Sequence, residues 1–152
     1  MNRIIYSFAL LLTIISSSKA QQKEAFSEDI AIVQAFIADI NDPAIRADVI
    51  LAKHVQIEQT NSDEGYDYLE ASINEIRLNL QTKDVDKVTY VPFDELSRRE
   101  TADIDPEGKP TNKMYFLYYK NRQMLAVYIE NDRVASFTLV SKGNKIAHFV
   151  TY

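Results

Sequence analysis

The last third of the chain contains four segments with the composition of β-strands, and it restricts the fold more than any other part of the sequence. Each segment is rich in β-branched and aromatic residues and is bounded by turn-forming residues. The segments are residues 114–119 (MYFLYY), 124–130 (MLAVYIE), 133–140 (RVASFTLV) and 145–152 (KIAHFVTY). Asn131 and Asp132 suit a two-residue hairpin, because both residue types tolerate a positive φ. The pattern therefore predicts an antiparallel meander.

Side chains alternate between the two faces of a strand, so the pairing of tight hairpins determines on which of the two faces each residue of the meander lies. Two-residue and four-residue loops without a bulge give the same pairing, and they place Tyr115, Tyr128, His148 and Tyr152 on one face. Both faces are largely apolar, whereas a solvated face should be polar. We therefore expect helices to cover one face, and a ligand cavity or a second protein surface to cover the other.

Three stretches before the meander have apolar residues at helical spacing, and each follows a residue type that caps helices. The predicted helices cover residues 28–40, 43–53 and 64–81. The expected N-caps are Ser27, Asp42 and Ser62. Pro43 is expected at the first position of the second helix, where the missing N–H has no helical partner to lose.

Two further strands are predicted outside the meander. Residues 87–93 (KVTYVPF) read as a strand with proline at an edge or bulge, and residues 55–58 alternate as a short strand does. Residues 27–152 show no domain boundary. The sequence thus predicts one α+β domain, in which three N-terminal helices pack on a curved antiparallel sheet of about five to six strands. The charged segment 97–113 is predicted to be a flexible hairpin tip or a functional lid.

Residues 1–20 have the pattern of a secretory signal peptide. A basic residue precedes an apolar run, and Ser18 and Ala20 are the small residues that cleavage requires. The apolar run is too short for a membrane-spanning helix, which needs about 20 apolar residues. We expect residues 1–20 to be removed, residues 21–26 to form a short lead-in, and the mature chain to be exported without insertion into the membrane.

The composition restricts which cellular compartment and which classes of partner we expect for this chain. The chain has no cysteine, which excludes disulfides, thiol catalysis and cysteine-bound zinc. An exported domain of this kind fits a periplasmic or secreted bacterial protein. The formal net charge is −5, and removal of residues 1–20, which hold two basic and no acidic residues, changes it to −7. An acidic domain without a basic stripe argues against nucleic-acid binding.

No metal or cofactor site is predicted. Zinc needs three or four ligands, and the two histidines, His54 and His148, do not share a helical face at ligand spacing. His54 is expected at the end of the second helix, where a cation suits the helix dipole. Residues 103–108 (DIDPEG) resemble the start of a calcium loop, but Met114 stands where a bidentate glutamate is needed.

His148 is the candidate for acid–base chemistry, because the expected register surrounds it with tyrosines. The predicted ligand-binding residues are Tyr115, Tyr128, His148 and Tyr152. No carboxylate is placed to orient the imidazole, so no catalytic residue is assigned and a binding role is favoured over a catalytic one. An ordinary half-buried histidine on the sheet is the simplest interpretation of His148.

The order of elements resembles that of the cone-shaped nuclear transport factor two-like superfamily. The helices capped at Ser27 and Asp42, the apolar stripe within residues 66–80 and the strands within residues 87–152 carry the resemblance. It implies a sheet that wraps around the long helix and leaves a pocket at the open end. Members include enzymes, non-catalytic ligand binders and dimerisation modules. The enzymes generally place an Asp or a His with a Tyr in the pocket. His148 and Tyr128 fit such roles here, whereas an inward Asp is missing.

The function expected from these features is that of an exported non-enzymatic domain. It would bind a small apolar or aromatic ligand, or a protein partner, through the four predicted residues. An isomerase- or hydrolase-type enzyme with His148 as its general base is one alternative, and a homodimer with the second sheet face as its interface is another.

Expression of the full chain in a bacterium tests the signal peptide. We expect the exported chain to begin at Gln21, because Ser18 and Ala20 occupy the positions that the cleaving enzyme reads. Ala20→Arg should leave the precursor uncut, whereas the control Lys19→Ser should be processed normally. Intact mass spectrometry of the exported fraction decides the matter, and a wild-type chain that retains residues 1–20 contradicts the prediction.

Overall fold

The computed structural model describes residue 26 and residues 28–58, 62–141, 143 and 145–152. The described residues form an α+β fold with four α-helices. The helices are α1 (residues 28–41), α2 (Ala47–His54), α3 (Asp63–Leu80) and the short α4 (Arg98–Thr101). The predicted signal peptide lies outside the described residues, and so do the lead-in, apart from Phe26, and the predicted cap Ser27.

Six strands in the described residues form two antiparallel sheets. The four-stranded sheet has the order β1-β2-β3-β4, and β5 and β6 form a separate pair. The strands are β1 (Thr89–Pro92), β2 (Met114–Tyr119), β3 (Arg122–Glu130), β4 (Arg133–Ser136), β5 (Leu139–Ser141) and β6 (Ala147–Phe149). The α+β class is therefore confirmed, whereas the single sheet of five to six strands is divided into sheets of four and two.

Ser136 explains why the predicted strand over residues 133–140 is divided. Its Oγ accepts a hydrogen bond from the Thr138 N–H at 3.2 Å and donates to the Thr138 carbonyl at 3.1 Å. A side chain that bonds the nearby backbone in this way replaces the ladder of a sheet. The chain leaves the first sheet after Ser136, and β5 begins three residues later at Leu139.

A bulge in β3 changes the predicted faces of the meander. Lys120 and Asn121 have φ values of 49° and 61° and form a two-residue turn, which is one of the two loop lengths considered for this corner. Tyr118 pairs with Gln123, but Leu117 pairs with Leu125, so Met124 is an extra residue in β3. Because side chains alternate, one extra residue moves every later side chain of β3 to the other face.

A second bulge lies in β4, where Ile129 pairs with Val134 but Tyr128 pairs with Ser136. The bulge in β3 alone puts Tyr115 on the face that meets the helices and Tyr128 on the opposite face. The prediction that these two tyrosines share a face is therefore wrong. The Asn131-Asp132 hairpin is confirmed, with φ values of 49° and 57° and with Glu130 paired to Arg133.

The helices cover one face of the four-stranded sheet and form the main core with it. The buried side chains from the sheet include Tyr115, Leu117, Val127, Ile129 and Val134, and those from the first three helices include Val33, Phe36, Ile37, Ile50, Leu69 and Ile73. Val55 forms a single parallel bridge with Val134 at the sheet edge, so the predicted strand over residues 55–58 is reduced to one bridge.

The chain itself covers the second face of the sheet. Met114, Phe116, Tyr128 and Phe149 form a buried cluster there, and Phe93, Leu96, Ile104 and Leu139 pack against it. Residues 103–105 do not form a free hairpin tip. The Ala147 N–H donates to the Asp103 carbonyl at 2.7 Å, and the Asp105 N–H donates to the Ala147 carbonyl at 2.8 Å. The second apolar face thus needs neither a ligand nor a partner to shield it.

The predicted helix N-cap is confirmed at Ser62, whereas the prediction at Asp42 is wrong. The Ser62 Oγ accepts from the Gly65 N–H at 3.2 Å, which confirms it as the N-cap of α3. The Asp42 Oδ1 accepts from the Ala44 N–H at 2.8 Å and closes a turn, and α2 begins only at Ala47. Pro43 is therefore a turn residue, and its predicted place at the start of the helix is wrong. Among the described helices, none is both long and apolar enough to cross a lipid bilayer.

His54 lies at the end of α2, as expected, and joins α2 to α1. Its ring is buried, and its Nε2 lies 2.7 Å from the Asp39 Oδ2. Lys53 Nζ donates to the same oxygen at 2.7 Å. Hydrogen bonds from Lys53 and then from His54 hold the pKa of Asp39 below its ordinary value, although partial burial opposes them.

The lowered pKa of Asp39 predicts that the contribution of this carboxylate to stability depends on pH. A carboxylate whose pKa is lower in the folded chain stabilises the fold above its unfolded pKa and loses this effect as the pH falls through the folded value. Asp39→Asn should lower the melting temperature at pH 7, and the difference from wild type should shrink below about pH 4. Thermal unfolding by circular dichroism across pH measures it. Asp67→Asn, at an exposed position of α3, is the control, and a pH-independent difference for Asp39→Asn would contradict the assignment.

Candidate functional site

A pocket lies between the N-terminal half of α3 and the C-terminal segment that follows the first sheet. Its volume is about 330 Å³, which is within the range of about 300–1,000 Å³ that is typical of small-molecule sites. We call it the α3 pocket. Its lining residues are Gly65, Tyr68 and Leu69 from α3, and Thr138, Val140, Val150, Thr151 and Tyr152 from the C-terminal segment.

The division of the predicted strand at Ser136 builds one wall of the α3 pocket. Thr138 and Val140 lie after the break, where the chain has turned away from the first sheet. The Val150 N–H donates to the Thr138 carbonyl at 3.1 Å and holds the last residues beside β5. α3 forms the opposite wall, since Leu69 is fully buried in the main core and Tyr68 stands next to it.

Tyr152 supplies the fixed polar group of the α3 pocket. Its hydroxyl accepts from the Phe137 N–H at 3.2 Å and is also hydrogen-bonded to the Thr138 hydroxyl. Its ring lies 5.1 Å from that of Phe137, centroid to centroid. Burial raises the pKa of Tyr152, so the phenol stays neutral at physiological pH. The pocket wall therefore combines an apolar surface with neutral hydroxyl groups.

Tyr68 is the second tyrosine of the α3 pocket, and unlike Tyr152 it is exposed. Its side chain is 58% exposed, an unusually high value for a large aromatic residue next to a buried leucine. The two tyrosines line the same pocket. A flat apolar ligand between them would remove much of the exposed ring of Tyr68 from water.

His148 lies beside the α3 pocket but does not line it. It is directly opposite Val140 in the β5–β6 pair, so the two side chains project from the same face of that pair. The ring is buried, and among the described residues no carboxylate is hydrogen-bonded to it. His148 is therefore a neighbour of the pocket lining, and the described residues do not supply the carboxylate that would orient it as a general base.

Tyr115 and Tyr128 lie in the two separate cores. The Tyr115 hydroxyl donates to the Asp29 Oδ2 at 2.6 Å, and Lys113 Nζ donates to the other oxygen at 2.8 Å. The Tyr128 hydroxyl donates to Glu130 at 3.1 Å, and burial, followed by this carboxylate, raises the pKa of Tyr128 to about 12. Burial, followed by Asp29, also raises the pKa of Tyr115.

The structure therefore does not bring the four predicted ligand residues together. Tyr152 lines the α3 pocket and His148 is opposite the lining residue Val140, whereas Tyr115 and Tyr128 are not lining residues. The bulge in β3 is the reason, since the extra residue Met124 moves Tyr128 to the face opposite Tyr115. Whether any of the four binds a ligand stays a prediction.

Two residues that the structure brings forward were not identified from the sequence, Tyr68 in the pocket lining and the buried Asp29. Tyr68 lies outside the apolar stripe of α3, and a large aromatic residue off that stripe is the signal that could have indicated it. Asp29, in the acidic first turn of α1, is 2% exposed, and its carboxylate accepts hydrogen bonds from Lys113 and Tyr115, which are 84 and 86 positions away in the sequence. No local pattern distinguishes such a buried carboxylate from an ordinary acidic first turn.

The function is inferred from the structure, because the comparisons with known proteins give no match. A search of protein-family models, of curated proteins and of solved structures found no significant match. The resemblance to the nuclear transport factor two-like superfamily accordingly stays a prediction. Within the part of the chain that the structure describes, no group of three His, Cys, Asp or Glu side chains is arranged to hold a metal ion.

Tyr115→Phe tests whether this residue has a structural role. The change removes one of the donors to the buried Asp29, and we expect it to lower the free energy of unfolding by about 1–3 kcal/mol. Tyr119→Phe on the same strand is the control, because its hydroxyl makes no hydrogen bond to the described residues. Urea unfolding followed by circular dichroism measures both variants, and equal stability of the two would refute the role.

Proposed function

We propose that the chain is an exported, non-enzymatic binding domain that holds a small apolar or aromatic ligand in the α3 pocket. The observation that carries this proposal is the pocket itself, which has an apolar lining, a neutral buried tyrosine hydroxyl and an exposed tyrosine at its rim. Binding pockets for small molecules typically combine a mostly apolar wall with a few fixed polar groups.

The hydroxyl groups of the α3 pocket further define the ligand. Thr138 and Tyr152 share one hydrogen bond, in which one hydroxyl donates and the other accepts. The Phe137 N–H is a donor to Tyr152 and uses none of the hydroxyl hydrogens. When the Tyr152 hydroxyl donates in the shared bond, the Thr138 hydroxyl keeps its hydrogen for a ligand. When Thr138 donates, the Tyr152 hydrogen can go to Ser136, whose side chain also bonds this phenol. The ligand that suits this wall is an apolar or aromatic molecule with one hydrogen-bond acceptor.

The proposed export follows from residues 1–20, which the structure does not describe. Their sequence pattern and the absence of cysteine favour a periplasmic or secreted location in a bacterium. In that setting the ligand would be a small molecule of the envelope or of the surrounding medium.

A binding screen with two protein variants tests the ligand proposal. The panel contains small aromatic molecules in pairs, with and without a single acceptor oxygen, and binding is measured by ligand-observed NMR. Members with the acceptor should bind more tightly than their partners. Tyr68→Ala should weaken the hits roughly 2- to 12-fold, because an aromatic contact is worth about 0.5–1.5 kcal/mol. The exposed position of Tyr68 lets this variant fold normally.

Leu78→Ala is the matched control, because Leu78 is also exposed on α3 but does not line the pocket. Equal losses in the two variants, or a panel in which nothing binds the wild-type protein, would exclude the α3 pocket as the ligand site. Light scattering over a range of dilutions accompanies the screen, since a homodimer is the alternative that would also cover exposed apolar side chains.

A further inference from the structure

We propose that the open edge of β5 binds an extended peptide segment of a partner protein by strand addition, and that one apolar side chain of the segment enters the α3 pocket. This inference rests on the proposed function, because it identifies the apolar group in the pocket as part of a peptide. Strand addition supplies affinity through backbone hydrogen bonds, and pockets for alternate side chains supply specificity.

The hydrogen bonds of the β5–β6 pair show which backbone groups of β5 are free. The Val150 N–H donates to the carbonyl of Thr138, which lies directly opposite, so this is a hydrogen-bonded pair. Hydrogen-bonded and non-hydrogen-bonded pairs alternate in an antiparallel ladder. Val140 and His148 are therefore the next bonded pair, and Leu139 and Ser141 direct their N–H and C=O groups away from β6.

The hydrogen bonds on the edge of β6 that faces away from β5 agree with this alternation. Ala147 is opposite Ser141, and its N–H and C=O groups point outward to the Asp103 carbonyl and the Asp105 N–H. Residues 103–105 thus already occupy the outer edge of β6. Among the described residues, no backbone group bonds the outward groups of Leu139 and Ser141. Val140 and Ser141 are exposed, and Leu139 is half-buried.

The α3 pocket is continuous with this edge. Val140, the central residue of β5, lines the pocket, and so does Thr138 just before the strand. A strand added to β5 lies about 4.8 Å away, and its alternate side chains project from the same face as Val140. One of them would therefore be directed towards the rim that Tyr68 forms on α3.

Charge defines the partner further. The first two turns of α3, which carry Gly65 and Tyr68 of the pocket, also carry the exposed carboxylates of Asp63, Glu64 and Asp67. The whole chain is acidic, with a formal net charge of −5. The complementary segment is extended, has a large apolar side chain and places a basic residue near it.

Titration of the ¹⁵N-labelled protein with designed heptapeptides tests the inference. Each peptide alternates threonine and valine, has a lysine at each end, and has phenylalanine, leucine or alanine at the centre. We expect the amide signals of Leu139, Ser141 and Tyr68 to shift together. The phenylalanine and leucine peptides should bind about ten-fold more tightly than the alanine peptide, as expected for an anchor side chain. A version with glutamate in place of the lysines should bind more weakly.

Backbone methylation separates strand addition from simple pocket filling. Two forms of the best peptide carry N-methyl groups on alternate residues, one form on the odd positions and the other on the even ones. Only one of these sets can point its N–H groups at β5, so one form should lose binding and the other should keep it. Equal binding of both methylated forms, or the absence of shifts at Leu139 and Ser141 with every peptide at millimolar concentration, overturns the inference.

Ser141→Pro gives an independent variant, because it removes the outward N–H of Ser141, and proline is tolerated at a strand edge whose N–H faces solvent. It should weaken the peptides and leave small aromatic ligands unaffected. If small ligands bind the pocket but no peptide pairs with β5, the edge inference fails and the proposed function stands. If Tyr68→Ala changes neither peptide nor small-ligand binding, the proposed function fails, and with it the pocket part of this inference.

Discussion

The extra residue at Met124 decides which side chains of the sheet meet the helices. Before it, β2 and β3 pair as tight hairpin geometry requires, and after it every side chain of β3 lies on the face opposite to the one that unbroken alternation predicts. Val127 and Ile129 consequently share the helix-facing core with Tyr115 and Leu117. Ala126 and Tyr128 turn to the other side. The composition of both cores depends on this single shift.

The second apolar face of the sheet is a structural feature of this fold and not a sign of a missing partner. An apolar sheet face must be shielded from water, and a chain can shield it with its own connections as well as with a ligand. Here Phe93, Leu96 and Ile104 from the connection between β1 and β2, together with Phe149 from β6, form that cover. The length and charge of residues 97–113 favoured a flexible hairpin tip or a functional lid, but Ile104 within this segment packs on the sheet.

The sequence predicted those features that depend on local chemistry. The α+β class, the strand β2, the Asn131-Asp132 turn and the Ser62 cap all follow from residue types within a few positions of one another. The bulges do not, because Met124 begins an apolar run through Ile129 in which an extra residue leaves no local mark. The contact between Asp29 and Tyr115 joins residues 86 positions apart, and such pairs depend on the tertiary arrangement.

The α3 pocket exists because one serine ends a strand early. Had residues 133–140 continued as one strand, Thr138 and Val140 would have stayed in the first sheet, far from the last residues of the chain. The two hydrogen bonds of Ser136 to Thr138 instead turn the backbone away, and β5 starts a new pair with β6 that faces α3. The same turn leaves β5 as a strand with one unpaired edge. The pocket and the open edge are therefore two consequences of one local competition between a side chain and the sheet.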